Sequence, residues 1–516
     1  MSDEQSADFP LRFGSPEDFR RVESMLKEAG FEENNLCRIL GMGDMSDLNR
    51  AEEEGIDLSD VDERLALFIR FFLLTETLPR FVVEHALEQD ELDALQALDL
   101  IRLVEYDEQL CYSPVFLYPV AGLLVASDRY TTPEGTIVEE KPDIVFPAID
   151  EGALLFLRII SKSPAASALD LGTGSGAAAL LLSPNTEHVT ASDITPRSAH
   201  FARFNALLNR CSNVEVIEGD MYEPVRGRSF ERIVSHPPYV PAFGETVIYR
   251  DGGDTGERLL RRVVEGLPEH LCAGGTFYSV CMGQDTVHGK FEERVRGWLG
   301  DSEREFDVLF GLGDTKTVER FMAQMMLRRG ARQLHYETLE QTLERAGTRQ
   351  LIYGALVIHR RAPGVQSKPW TARPDILKET TGASFDHALR WHRRRSRPDF
   401  LDALAQARPR PAPALQVEIT HGVREGELVI EDLLFRSDYP FPALTRVEPW
   451  ILSLVLNLRG EQTLSELYQS VRAASAIPGG FELKDFLELT ATLVERGYLA
   501  LDDSFSESRS LDSAES

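Results

Sequence analysis

"ALDLGTGSGAAAL" occupies residues Ala168 to Leu180. An apolar run reaches Asp170, then Gly172, Gly174 and Gly176 fall within five residues, and a helical pattern begins. Glycines let the backbone turn tightly and approach a ligand closely. The helix start beyond them offers free N–H groups and a positive dipole end. The spacing is G-x-G-x-G, not the G-x-G-x-x-G of a dinucleotide loop. An acid also stands ahead of the first glycine. A diphosphate is repelled by Asp170, whereas an ammonium or a sulfonium is attracted. The loop therefore suits a cationic ligand that carries a carboxylate.

Outward from this loop, "EHVTASD", "NVEVIEGD", "FERIVSHPP", "GGTFYSVCM" and "QLIYGALVIHRR" are further β-rich apolar runs. Helical patterns lie between several of them: "GAAALLLSP", "PRSAHFARFNALLNR" and "GERLLRRVVEGLPEHL". Such alternation predicts a mostly parallel sheet with helices on both faces. "EREFDVLFGLGDTKTVERF" (Glu303–Phe321) reads as an excursion before the last strand. Two more acids end predicted strands. Asp193 is placed to accept both hydroxyls of a ribose. Asp220 is placed to accept an amino group of a base, with Met221 packing the ring. A lone acid of this kind is more often an N-cap or a solvated strand end; three at successive strand ends point to one nucleoside site.

On these residues, 145–360 resemble the class I S-adenosylmethionine-dependent methyltransferases. The resemblance implies a Rossmann-like, mostly parallel seven-stranded α/β sheet and S-adenosyl-L-methionine as cofactor. It places the methionine end of the cofactor on Asp170, Gly172, Gly174 and Gly176, the ribose on Asp193 and the adenine on Asp220. The expected cofactor-binding set is completed by Thr173, Ile194, Met221 and His236.

"HPPY" (His236–Tyr239) leaves the fourth predicted strand. Prolines fix φ and remove donors, so the carbonyl at this exit faces no competing neighbour. Tyr239 offers a ring for stacking a planar group. The stretch is similar to the [DN]PPY motif of N-methyltransferases that act on amide or exocyclic amino groups. With "YRDGGDTGERLLRRVVEGL" (Tyr249–Leu267), the likeness narrows to the glutamine N5-methyltransferases of release factors and their relatives. It covers the central two-fifths of the chain. His236, Pro237 and Tyr239 are the expected catalytic residues. His236 stands where that family has asparagine. A neutral imidazole accepts one hydrogen bond and takes a proton near neutral pH, which serves an amine, alcohol or phenol better than an amide.

The totals set limits. In 516 residues, 84 acidic against 55 basic side chains give a net charge of −29, a surface that repels phosphate backbones. A nucleic-acid acceptor is disfavoured; a protein side chain or a small molecule is expected, and a homodimer is left open. Cys37, Cys111, Cys211, Cys272 and Cys281 form no CxxC pair, so no metal and no disulfide framework are expected, and a cytoplasmic location is. "LALFIRFFLL" (Leu65–Leu74) is broken by Arg70; it reads as a core helix, and no membrane span is expected.

Residues 1–13 and 503–516 read as disordered tails, 362–380 as a linker. Residues 14–130 and 381–502 read as mainly helical, winged-helix-like domains on either side of a methyltransferase domain at 131–361. In the first, Ser15 precedes Pro16 as a helix N-cap, and "QLCYSPVFLYPVAGLLVASD" (Gln109–Asp128) reads as short strands. "ALRWHRRRSRP" (Ala388–Pro398) is a basic island, read as a solvated helix face rather than as an anion contact.

Overall fold

A computed structural model describes residues 9–136, 141–241, 252–329, 333–364 and 368–502. Both terminal tails apart from residues 9–13, and the first three residues of the Tyr249–Leu267 stretch, lie outside the described residues. The chain divides into two compact units. One is Met1–Phe310, Asp314–Pro363 and Trp370–Ala372; the other is Gly311–Gly313, Gly364–Pro369 and Arg373–Ser516.

The centre of the first unit is one sheet. Its strands in chain order are β1 (Ala165–Leu171), β2 (Thr186–Asp193), β3 (Val214–Glu218), β4 (Phe230–Ser235), β5 (Leu271–Thr286), β6 (Phe306–Thr317), β7 (Thr348–Arg360) and β8 (Thr371–Ala372). They lie in the order β8-β6-β7-β5-β4-β1-β2-β3. Pairing from β3 through β2, β1 and β4 to β5 is parallel, and β7 runs antiparallel to β5. Ala168–Leu171 and Val189–Asp193 are buried throughout, which is why these strands read as continuous rather than alternating apolar runs. Helices α1 (Glu151–Ile159), α2 (Ala177–Leu182), α3 (Pro196–Leu208), α4 (Arg258–His270) and α5 (Phe291–Trp298) accompany the strands. Strand order reverses between β1 and β4, so their carboxyl ends open a crevice where ligands of such sheets bind.

Two expectations are corrected here. Among the described residues the sheet has eight strands, not seven, because two residues of the expected linker, Thr371 and Ala372, pair in parallel with Val308 and Leu309. The expected excursion is itself strand β6. "GLGD" carries turn signals in sequence, but the chain stays extended through it.

The N-terminal part of this unit begins with the helix Pro16–Glu28, capped by Ser15 and Asp18 in a reciprocal box. The run from Leu65 to Leu74 is a helix that widens to a π-turn at Ile69–Leu73. Ala121 and Gly122, both at positive φ, join the hairpin Val115–Val120 and Leu123–Asp128.

That hairpin is sewn to α3. Asn205 donates from Nδ2 to the carbonyls of Ala126 (2.9 Å) and Ser175 (2.8 Å) and accepts the Ala126 N–H (2.8 Å). Asn209 treats Leu124 the same way, at 2.7 and 2.9 Å. Four residues of helix rise about 6 Å and two of strand about 6.8 Å, so the two amides match alternate strand residues. Arg197 adds a buried ion pair to Asp128. Asp128 also takes the Val145 N–H (2.8 Å), and Tyr118 takes the Ala148 N–H (2.7 Å). The strap before α1 is thereby fastened to the hairpin.

The second unit packs Trp391, Phe400, Phe435, Tyr468, Phe486 and Tyr498 into its core. Among the described residues this unit holds five helices, Gly382–Arg395, Phe400–Gln406, Pro449–Leu456, Leu464–Ala473 and Leu483–Glu495, and a three-stranded antiparallel sheet that the sequence reading missed. Its strands are β9 (Gln416–Arg424), β10 (Glu427–Ser437) and β11 (Ala443–Arg446). In the basic island, Arg395 pairs with Glu488 and Glu495, and Arg397 with Asp399. Among the described residues no helix is long and apolar enough to cross a membrane.

Replacing Asn205 by alanine strands three buried backbone groups. Urea unfolding of the full chain should show a loss of about 2–4 kcal/mol; an unchanged midpoint would mean the amide does not hold the hairpin.

Candidate active site

At the carboxyl ends of β1, β2 and β4 lies a cavity of about 620 Å³. Asp170, Gly172, Thr173 and Gly174 line it from the glycine loop. Asp193 and Ile194 line it from the end of β2, Asp220 and Met221 from beyond β3, and His236, Pro237 and Tyr239 from beyond β4. Gly176 alone among the expected residues lies off the lining. It starts α2 at φ 88°, and a Cβ there would stand 3.1 Å from Ala202, so its glycine serves helix packing.

The loop is built on Asp170. Its Oδ2 accepts the Thr173 hydroxyl at 2.5 Å and the Ala179 N–H at 3.0 Å. Gly172 and Gly174 take left-handed φ of 73° and 54°. The Gly172 and Thr173 N–H groups both reach the Ser192 carbonyl at 2.9 Å. Burial pushes the Asp170 carboxyl up to about 7, against the pull of those two hydrogen bonds, with the nearby Asp193 charge adding to the rise. Such a group gains from a bound cation.

Asp193 accepts the Gly174 N–H on Oδ2 (2.9 Å) and the N–H and hydroxyl of Thr195 on Oδ1 (3.0 and 3.2 Å). Burial raises it also, with these bonds opposing. Asp220 accepts Arg262 Nη2 at 2.7 Å. Met221 sits at φ 49°, an uncommon backbone state for a non-glycine residue. Ile194, 55% exposed, is an apolar side chain on the same lining.

The exit from β4 is held rigidly. The Ser235 hydroxyl donates to the Leu171 carbonyl at 2.7 Å, tying β4 to β1. Gly252 and Gly256 lie against the backbone of the exit. A Cβ at Gly252 would stand 2.6 Å from the Pro238 carbonyl, and one at Gly256 would overlap that of Tyr239. The glycine run after "HPPY" is thus explained by close backbone approach. The His236 ring stacks on Phe156 (centroids 5.2 Å, 28°) and tilts toward Tyr239 (5.5 Å, 34°). His236 as a whole is half-buried, but its Nε2 is withdrawn from solvent and has no hydrogen-bond partner. Burial lowers its pKa, with the Asp150 charge opposing, so the imidazole is neutral at neutral pH. Tyr239 is pushed up to about 12 by burial and by Asp150 and keeps its proton.

Several lining residues escaped the sequence reading. Asp150, Phe146 and Phe156 come from the strap and α1, and Arg258 and Arg262 from α4. Asp150 was findable, because it caps α1 through Gly152 and Ala153 (2.8 and 3.2 Å) and stands immediately before an apolar helical pattern. The tilted Tyr239–Tyr353 pair (5.8 Å) was not, since the two residues are far apart in sequence.

This arrangement matches a family. The methyltransferase small domain model covers residues 143–299. A protein of Methanocaldococcus jannaschii, provisionally named a protein N5-glutamine methyltransferase, is 30% identical over 149 residues, which are 28% of this chain and 74% of that protein. The chain belongs to this methyltransferase family. A release factor glutamine methyltransferase of Geobacter sulfurreducens is 30% identical over 165 residues, covering 29% of the chain and 58% of that protein. A ribosomal protein uL3 glutamine methyltransferase of Bradyrhizobium diazoefficiens is 31% identical over 157 residues, covering 28% and 49%. The chain thus spans about half the length of two of these relatives and three-quarters of the third.

A cation beside Asp170 binds its ionised form, which burial makes less populated below about pH 7. Affinity for a sulfonium ligand should therefore rise as pH climbs through about 7 and fall below it. Titration calorimetry at pH 6 and pH 8 should show this difference, and Asp170→Asn should abolish it.

Proposed function

We propose that the chain transfers a methyl group from S-adenosyl-L-methionine to a nitrogen of a protein side chain, a glutamine-like amide or an amine. The observation that carries this reading is the gathering of Asp170, Asp193, Asp220 and the "HPPY" exit around one cavity. The site's chemistry suits the cofactor. A buried carboxyl awaits a cation, a glycine cradle leaves room at Gly172 and Gly174, where a Cβ would meet nothing within 4 Å, and Ile194 and Met221 offer apolar cover. In this reading Asp170, Gly172, Thr173 and Gly174 hold the amino-acid end, Asp193 the ribose, and Asp220 with Ile194 and Met221 the base.

The bound cofactor supplies an electrophilic methyl group on a sulfonium. The remaining work falls to the chain. The rigid Pro237–Pro238 exit and the Tyr239 ring orient the acceptor, and most of the acceleration comes from that positioning and from exclusion of water. His236, neutral and lining the cavity, accepts a hydrogen bond from the acceptor N–H and takes its proton as the new bond forms. A second reading, a small-molecule N- or O-methyltransferase, is favoured by one observation, the histidine itself, because an amine or hydroxyl gains more from a base than an amide does. A nucleic-acid base is the least supported acceptor on charge. We read the flanking helices and small sheets as winged-helix-like parts, and the protein as cytoplasmic.

Incubating the purified chain with methyl-labelled cofactor and cell extract should label a protein. Label confined to a metabolite or to RNA would overturn the proposed acceptor. His236→Ala should keep cofactor affinity and lower turnover by roughly 10²–10⁴-fold. A variant that loses cofactor binding instead would remove His236 from the acceptor side.

A further inference from the structure

We infer that two copies of this chain pair through the free edge of β9, antiparallel, about a two-fold axis passing at His421. The inference rests on the second unit alone and is independent of the methyl-transfer reading.

Among the described residues β9 is an edge strand. It is bonded to β10 on one side only, nine residues long, and holds no proline. Natural edges of this length are normally covered, shortened or blocked. This one also carries an uncovered apolar row. At its root Ile419 pairs with Leu433, which is buried in the core. Toward the turn His421 pairs with Ile430, and Val423 with Leu428. Val423 and Leu428 are each 73% exposed, and Ile430 is 49% exposed. The hairpin runs past the core that should support it.

The sequence of β9 is complementary to itself. Turned about His421, it sets Ile419 of each copy opposite Val423 of the other on the apolar face. Each overhanging tip then lies beside the other copy's core-backed root. On the opposite face, Thr420 meets Gly422 and Glu418 meets Arg424. Within each copy Glu418 already pairs with Arg436 at 2.6 Å and Arg424 with Glu431 at 3.6 Å. The pairing joins these into one row of alternating sign, Arg436, Glu418, Arg424 and Glu431, repeated by the two-fold. Opposite charges facing each other across a ladder are favourable and like charges are not. In a chain of net charge −29, the one acid and one arginine of this strand cancel, so two copies meet without net repulsion along the ladder. Because such an interface is isologous, it closes after two copies rather than growing into a fibre.

The full-length chain should sediment as a dimer. His421→Cys sets two thiols across the axis at the spacing of directly opposed residues, which a disulfide can bridge. Mild oxidation should cross-link it. Val417→Cys should not respond, being roughly 27 Å from its symmetry mate, and the unaltered chain reports the background of the native cysteines. Glu418→Arg and Arg424→Glu should each weaken the dimer roughly tenfold, by placing like charges face to face. Reversing the whole row, Glu418→Arg and Arg424→Glu with Arg436→Glu and Glu431→Arg, keeps the pairs within each copy and should restore it, with cofactor affinity unchanged throughout. A chain that sediments as a monomer overturns the inference and leaves the edge to a strand of another protein. So does a dimer in which His421→Cys fails to cross-link or the whole-row reversal fails to restore association.

Discussion

A carboxyl group buried at the end of a strand, Asp170, organises the rest of the site. Its Oδ2 draws in the Thr173 hydroxyl and the Ala179 N–H and so ties the strand end, the glycine loop and the first turn of α2 to one atom. The glycines between take backbone angles that other residues resist. Their N–H groups are passed to Ser192 and Asp193 at the end of β2. The loop is thus held by the protein's own acids, and burial raises the Asp170 carboxyl to about 7, so that a cation beside it favours the ionised form.

The remaining walls depend on parts far from the loop. The strap from Asp143 to Asp150 has little structure of its own and is placed by the Asp128 carboxylate and the Tyr118 hydroxyl of the N-terminal hairpin. Asn205 joins the same hairpin to Ser175 in the loop. The N-terminal part is therefore not an appendage to the site, since the backbone that closes one side of the cavity hangs from it. The exit from β4 has a similar economy: Ser235 locks β4 to β1, and two glycines leave the room that the "HPPY" backbone occupies.

His236 gives the exit from β4 its chemical character. An asparagine offers a fixed acceptor and no basicity. The imidazole, pressed against Phe156 and withdrawn from water at Nε2, offers an acceptor that also binds a proton. Asp150 opposes the effect of burial on it, so a carboxylate that caps a helix also tempers the histidine.

What could be read from the chain alone was what local spacing encodes. Strand–loop–helix at 168–180, acids at the ends of Asp193 and Asp220, and a stiff aromatic exit at 236–239 are short-range patterns. Each constrains φ, ψ or charge within a few residues, so the sheet and the residues now found along its carboxyl edge were legible. The partners that meet across long separations were not. Arg262 beside Asp220, Tyr353 beside Tyr239 and the hairpin's Tyr118 beside Ala148 have no shared period to betray them. Strand β6 was misread because the turn signals of Gly311 and Gly313 are local, while the pairing that keeps the chain extended comes from neighbouring strands. The hairpin of β9 and β10 was missed although its alternation is plain in "QVEITHGVR" and "ELVIEDLLFRS". Local preference fixed which residues could form a site; packing of distant segments fixed which of them face one another, because burial and hydrogen bonding are settled between elements rather than along them.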